Sequence, residues 1–337
     1  MPGRKNSVSA KDVAARAGVS RAVVSRTFTP GASVSKETRS KVLEAAEALG
    51  YQVNHLARGL ISRKTGIVAL IGADLATPYR SELIRVLTER LQASGRVAIL
   101  INTDRSDSTV DVALQQAIRY RAEAAVVLSG MPESSISELC HRNGLRLVLI
   151  NRDDAHSGSV QIRLNDAEAA RVALASFLRA GCRRLALASS QAGTPSLLDR
   201  ENGFLVEAEK RGLPVLCERL GPTSYESGLA LGERLLVRAE RPDAVFCTTD
   251  LLACGVMDAA RHRFSLSIPN DLSVIGFDDI EQASWDAYAL TTFRQPVEEI
   301  GAAAVDWLSD GDAADGPRII HLTAPMVWRK SVRGNGK

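Results

Sequence analysis

The 337-residue chain contains no uncharged apolar run of about 18 residues, so none of its segments is suited to cross a bilayer as a helix. Its first residues, Met1 to Val8, lack the apolar core of a secretory leader, and the expectation is a cytoplasmic protein with no membrane contact. Cysteine is scarce. Cys140, Cys182, Cys217, Cys247 and Cys254 are odd in number, lie in apolar surroundings and show no C-x-x-C spacing, which argues against disulfides or a zinc framework and for buried thiols. The five histidines are scattered, so neither a metal nor a cofactor is expected. Also missing are the phosphate loop G-x-x-x-x-G-K-[ST], a G-x-G-x-x-G after the first apolar run, a G-x-S-x-G elbow and H-E-x-x-H, which leaves an enzyme without a recognisable catalytic constellation.

What the chain does have is strongly uneven charge. Residues 1–64 hold twelve Lys or Arg against Asp12, Glu37, Glu44 and Glu47, a local charge of +8 in a chain whose total is +3, so the remainder carries −5. One basic end on an otherwise acidic protein is the electrostatic footprint of a phosphate-binding segment. A solvated basic tail would account for Arg4 and Lys5, but not for arginines on a capped helix.

Residues 9–60 carry such helices. Ser9 is placed to cap a first helix with Asp12 three residues on; Val13, Ala14 and Ala17 follow at helical spacing, and Gly18 breaks the run before a second cap at Ser20. The second helix, about 21–28, buries Val24 and turns Arg21, Ala22, Ser25 and Arg26 outward, as a helix lying in a major groove requires. A third begins after Ser35, gathers Val42, Ala45, Ala46 and Leu49 on one face and stops at Gly50. A capped three-helix segment taken alone is more often a plain bundle than a DNA reader; the charge and the spacing of the arginines favour the reader.

Beyond Gly66 the pattern changes to short apolar runs at 67–72, 97–101, 124–128, 145–150, 185–188, 244–247 and 274–277, separated by amphipathic stretches such as 81–93, 109–120, 167–180, 199–211 and 227–239. This alternation predicts parallel sheets covered on both faces. In such sheets ligands lie beyond the carboxyl ends of the strands. Asp74, Asn102 to Asp104, Ser129, Asn151 with Arg152, Ser189 with Ser190, Thr249 with Asp250, and Asp278 with Asp279 occupy those positions. For Ser129, Asp250 and Asp279, helix capping or hydrogen bonding between lobes competes with ligand contact.

The spacing D-V-A-x-x-A-G-V-S-x-x-x-V-S-R from Asp12 to Arg26, then V-S-x-E-T-R from Val34 to Arg39 and Gly50-Tyr51, resembles the LacI/GalR family of bacterial repressors, and the resemblance extends through the rest of the chain. It implies an α/β protein with an N-terminal three-helix helix-turn-helix head plus hinge helix, followed by a two-lobed, doubly wound domain like periplasmic binding proteins. The implied boundaries are 1–50 for the head, 51–64 for the hinge and linker, 65–332 for effector binding and dimerisation, and 333–337 for a tail. Within the large domain, lobe 1 takes about 65–164 and 294–323, and lobe 2 about 165–293 and 324–332.

Carried over residue by residue, the resemblance implies DNA contacts at Ser9, Ser20, Arg21, Ala22, Ser25, Arg26, Thr29, Ser35 and Thr38. The hinge motif N-x-x-A-x-x-L is Asn54, Ala57 and Leu60, with Arg58 beside them, and Leu60 would be the wedge in the minor groove. The family's proline before the hinge Asn is Val53 here. R-x-x-G-F is Arg200, Gly203 and Phe204, G-F-D-D is Gly276 to Asp279, and L-T-T-x-x-Q-P runs from Leu290 to Pro296. The implied effector contacts are Asp74, Tyr79, Arg80, Ser129, Asn151, Arg152, Arg200, Thr223, Thr249, Asp278 and Gln295, with Arg200, Asp278 and Asn151 foremost.

Departures from the family pattern bear on the ligand. The usual N-P-F-F is Thr77, Pro78, Tyr79 and Arg80, and an expected aromatic is Thr223, so two stacking surfaces are absent. A pocket with Arg80, Arg152 and Arg200 against Asp278 would suit a polyhydroxylated ligand bearing an acidic group. A neutral sugar, with Arg80 leaning into solvent, is the equal alternative. The expectation is a ligand-responsive transcriptional regulator, read as a repressor, that binds a pseudo-palindromic double-stranded DNA operator as a homodimer, because one recognition helix covers few base pairs. A co-repressor-dependent purine-type or global regulator is the runner-up, ahead of an enzyme or a structural DNA-binding protein.

Overall fold

Small apolar side chains and well-placed caps shape the first unit of the chain. The computed structural model describes residues 8–29, 31–52, 65–104, 107–128, 134–152, 159–309 and 318–334. Its contacts divide the chain into Met1–Thr65 and Gly66–Lys337. In the first unit lie α1 (Ala10–Ala17), α2 (Arg21–Thr27) and α3 (Lys36–Leu49). The Ser9 backbone N–H and hydroxyl both donate to the Asp12 carboxylate, at 2.9 and 2.7 Å. Ser20 and Ser35 accept from Val23 N and Thr38 N, satisfying helix-start N–H groups that have no intrahelical partner. Gly18 and Gly50 end α1 and α3 at φ +66° and +64°, a left-handed conformation costly for any residue with a Cβ. Val13, Ala14, Val24, Val42, Ala45 and Ala46 form the core, and Phe28 leans on Tyr51 with ring centres 5.8 Å apart. Arg39 locks the α2–α3 connection by donating to the carbonyls of Thr27 and Ala32.

The second unit starts with β1 (Ile67–Gly72), α4 (Pro78–Ala93), β2 (Val97–Asn102), α5 (Asp107–Arg119), β3 (Ala124–Val127), α6 (Ser134–Arg142), β4 (Arg146–Ile150) and β5 (Ser159–Leu164). The chain then builds a second layer from α7 (Asp166–Arg179), β6 (Leu185–Ser189), α8 (Pro195–Lys210), β7 (Val215–Arg219), α9 (Tyr225–Leu236), β8 (Ala244–Cys247), α10 (Asp250–Phe264), β9 (Ser273–Ile275) and α11 (Glu281–Ser284). It ends with β10 (Thr292–Phe293), α12 (Val297–Ser309), β11 (Arg318–Leu322) and β12 (Met326–Val327). One sheet is parallel in the order β11-β5-β4-β3-β1-β2, a second is parallel in the order β7-β6-β8-β9, and β10 pairs antiparallel with β12. The segment after β10 therefore returns to the first sheet and contributes β11 there.

Alternation along each strand explains the apolar runs. Val68, Leu70, Val126 and Val148 face one core, while Ala69, Ile71, Ala125, Val127, Leu147 and Leu149 face another on the opposite side of the same sheet. In the second sheet Leu187 and Phe246 point one way and Ala186, Ala188, Val245 and Val274 the other. Helices α9 and α10 meet backbone to backbone: a Cβ on Gly255 would lie 2.3 Å from the Tyr225 carbonyl oxygen and 2.6 Å from the Gly228 carbonyl carbon.

The apolar-run criterion passes over β5, β7 and β11. Strand β5 reads Ser-Val-Gln-Ile-Arg-Leu, and buries Gln161 between two neighbours in the sheet. Strands β7 and β11 lie at sheet edges, half exposed, and carry Glu218, Arg219, Arg318 and His321. The last run is shorter than expected, because β9 stops at Ile275, before Gly276 and Phe277. Four of the five cysteines are buried, but Cys217, on edge strand β7, is only half-buried. Among the described residues no helix is long and apolar enough to cross a membrane.

Candidate functional site

In the first unit, packing of Val24 and Thr27 against α1 and α3 orients α2 so that Arg21, Ala22, Ser25 and Arg26 are exposed. Arg26 Nε reaches back to the Ala22 carbonyl at 3.4 Å, and Thr29 Oγ1 donates to the Ser25 carbonyl at 2.9 Å. Ser9, Ser20 and Ser35 are exposed and engaged in capping; the Ser35 hydroxyl also donates to the half-buried Thr38 at 2.8 Å. The result is an exposed helix face with two guanidinium groups and a serine, rimmed by helix amino termini. The hinge positions Asn54, Ala57, Arg58 and Leu60 lie outside the described residues, as does Ser129.

In the second unit, carboxyl ends of strands from both sheets converge on a cavity of about 390 Å³. Asp74, Tyr79, Arg80, Asn151, Arg152, Arg200, Thr223, Thr249, Asp278 and Gln295 all line it. Asp74, Asn151 and Asp278 hold positive φ values of 51°, 54° and 130°. Non-glycine residues in that region cost about 1–3 kcal/mol each, and such strain concentrates at binding sites. Asp250 and Asp279 do not line the cavity. The buried Asp250 accepts from Thr292 Oγ1 at 2.5 Å and from Ile280 N at 3.0 Å, while Asp279 pairs with Arg294 and Arg329 at 2.6 Å each. Both are structural, and burial with a neighbouring Asp278 charge pushes the Asp250 carboxyl up to about 8. Asn102 and Asp104 also stand apart from the cavity.

Arg200 is the electrostatic centre. Only 2% exposed, it donates from Nε to Asp166 at 2.7 Å and from Nη1 to the Thr248 carbonyl at 2.9 Å, lies 3.7 Å from Asp278, and stacks 3.5 Å above the Phe277 ring. Burial raises the Asp166 carboxyl above its ordinary range, with Arg200 opposing the shift. Asp278 accepts from Gln295 Nε2 at 2.6 Å, and burial pushes its carboxyl up to about 6. The Tyr79 hydroxyl and Gln295 Oε1 are enclosed without a hydrogen-bond partner. Buried polar groups of this kind are costly unless something satisfies them, and both line the cavity.

Elsewhere in the lining, Arg80 and Arg152 converge on one carbonyl, with Nη atoms 2.6 and 3.3 Å from Leu128 O; Arg152 is 3% exposed. Arg80 therefore turns into the wall rather than out to solvent. Thr223 shares a 2.8 Å hydrogen bond with Ser190, and Thr249 caps α10, so both present the cavity with already engaged hydroxyls.

Sequence reasoning missed Asp166 and the segment from Ala192 to Leu197, which lines the cavity. Asp166 follows the unrecognised β5. The second segment could have been found from Gly193-Thr194-Pro195, a turn with a cap and a proline at the first helical position of α8.

The profile of bacterial regulatory proteins of the lacI family matches residues 9–54, and that of a periplasmic binding protein-like domain matches residues 174–332. Catabolite control protein A of Priestia megaterium is 32% identical over 329 residues, covering 96% of this chain and 98% of the relative. The HTH-type transcriptional repressor PurR of Erwinia tasmaniensis is 31% identical over 328 residues, covering 96% of each. The fold is shared with the lac repressor dimer bound to operator and the anti-inducer ONPF, at a TM-score of 0.87 and 24% identity, over 98% of this chain and 100% of that one.

Proposed function

Because the chain belongs to the lacI family of bacterial regulatory proteins, and is a DNA-binding regulator rather than an enzyme, we propose that it is a repressor whose operator affinity is set by a small ligand in the cavity of the second unit. In this reading it binds a pseudo-palindromic operator as a homodimer. Arg21, Ala22, Ser25 and Arg26 read bases, and the segment 51–64 acts as a hinge whose Leu60 enters the minor groove. The observation that carries the ligand half is the pairing of two enclosed, unsatisfied polar atoms, Tyr79 Oη and Gln295 Oε1, with the Asp278 carboxylate in one cavity. A carbonyl oxygen and a carboxylate side by side call for a ligand that donates hydrogen bonds, which hydroxyl groups do.

The convergence of Arg80 and Arg152 in the cavity lining favours an acidic sugar or sugar phosphate over a neutral one. Coupling between ligand and operator must be reciprocal, about 1–3 kcal/mol in either direction. The test is selection of bound duplexes from random DNA, followed by calorimetry of the full chain with neutral sugars, acidic sugars and purines, with and without the selected duplex. Absence of sequence preference would reject the regulator reading. A tight neutral sugar whose affinity survives Arg80→Ala would reject the acidic class.

A further inference from the structure

Residues 65–337 carry −5 overall, yet one surface of the second unit is basic. It lies at the amino-terminal ends of β6 and β8, at the edge of the sheet opposite the cavity and about 16 Å from it along a five-residue strand. The buried Asp243 carboxylate accepts from the backbone N–H groups of Arg183 and Arg184 at 3.1 and 2.9 Å, fixing both residues beside it. Arg184 Nε donates to the Arg241 carbonyl at 2.6 Å, Arg183 Nη1 donates to the carbonyls of Cys182 and Leu178, and the Arg241 guanidinium lies 5.4 Å from the Phe264 ring. Arg179, in the last turn of α7, is exposed next to them, and Arg333 lies 3.6 Å from Asp243.

Carbonyl oxygens and a ring hold these guanidinium groups without cancelling their charge. Among the described residues Arg179, Arg183, Arg184 and Arg241 form no ion pair; of the acids along this edge, Asp243 is buried and shared with Arg333, while Glu240 and Asp271 are exposed and not paired with these four arginines. The carboxyl terminus of α7 accounts for Arg183 and for Arg179 in its last turn, but not for Arg184 or Arg241.

We infer that this surface binds the phosphate backbone of a second DNA duplex, independently of the head and of the ligand cavity. Planar guanidinium forks suit phosphate oxygens, and duplex DNA offers a negative charge about every 1.7 Å of its axis. An acidic protein would offer carboxylates, but protein interfaces centre on apolar or aromatic anchors. The exposed residues of 179–184 are three arginines and Gly181. Bound this way, one molecule joins two stretches of DNA.

The test is a bridging assay. Full-length protein is loaded on an immobilised duplex, and capture of a fluorescent second duplex of unrelated sequence is read against salt. Capture by the natural protein should fall with a logarithmic salt slope of about −0.9 per phosphate neutralised, so near −3 to −4 for four arginines. The variant R183Q/R184Q/R241Q should remain on the first duplex and lose capture at least about tenfold; R183K/R184K/R241K, which keeps charge, should retain part of it. No capture by the natural protein, or equal capture by the Gln variant, overturns the inference. So does displacement of the second duplex by polyglutamate as readily as by free duplex, which would assign the surface to an acidic polypeptide. Failure of the protein to stay on the first duplex would instead count against the DNA-binding head.

Discussion

Replacing Arg200 by alanine should act first on stability, whatever it does to ligand binding. The guanidinium lies 2.7 Å from Asp166, and both side chains are 3% exposed. At an effective dielectric of about 20 the attraction across that distance is about 6 kcal/mol, much of it offset by the cost of taking both ions out of water. Removing one partner exposes that cost, because Asp166 stays buried with Arg163 as its remaining cationic neighbour and the Thr248 carbonyl loses its donor. Breaking buried pairs of this kind costs about 3–5 kcal/mol. Trp285, Trp307 and Trp328 all lie in the second unit, so tryptophan fluorescence during urea unfolding reports that unit without the head. The sign of the pH dependence follows from Asp166. Its folded carboxyl is already raised, and losing Arg200 raises it further, so the contribution present below about pH 4 is lost as pH rises. The Arg200→Ala defect should therefore be full at neutral pH and shrink toward acid. Adding Asp166→Leu should restore much of the loss, since an apolar pair replaces an orphaned charge. A defect under about 1 kcal/mol at neutral pH, or a double variant worse than the single one, would refute this account of Arg200.

Asp278→Asn probes the other carboxylate: burial raises its pKa from 3.8 to about 6, so its contribution in the natural protein is lost as pH climbs through about 6. Relative to the natural protein the Asn variant should gain up to about 3 kcal/mol between pH 4 and pH 7 by urea unfolding, and parallel curves would contradict the shift. Gly255→Ala forces a methyl into backbone 2.3 Å away; a loss of about 2 kcal/mol or more in the same assay is expected, and unchanged stability would show that α9 and α10 slide apart freely. Arg21→Ala should relax preference at one symmetric base position by about 1–3 kcal/mol, read from selected binding sites, while an unaltered base preference would remove Arg21 from the reading face.

Much of this protein is legible in the sequence because the relevant forces act locally. Serine caps, terminating glycines and the exposure of Arg21 and Arg26 depend on neighbours within one or two helical turns, and the same serines, glycines and arginines hold those places in the fold. Strands buried on both faces, such as Ile67–Gly72 and Ala244–Cys247, announce themselves as apolar runs, and of the polar residues that follow such strands Asp74, Asn151, Arg152, Thr249 and Asp278 line one cavity. Strands whose polar residues are matched by distant partners do not: β5 hides Gln161 in the sheet interior, and the edge strands β7 and β11 read as half-polar loops. Tertiary structure alone decided how the charges are shared. It committed Arg200 to Asp166 and Thr248, turned Asp250 and Asp279 into internal fastenings, and left Tyr79 and Gln295 with polar atoms unsatisfied. Asp166 and Arg200 stand 34 positions apart, and Asp250 and Thr292 stand 42 apart. No periodicity joins such residues, because a hydrogen bond depends on distance in space, which the sheet and helix packing sets only once the chain has folded.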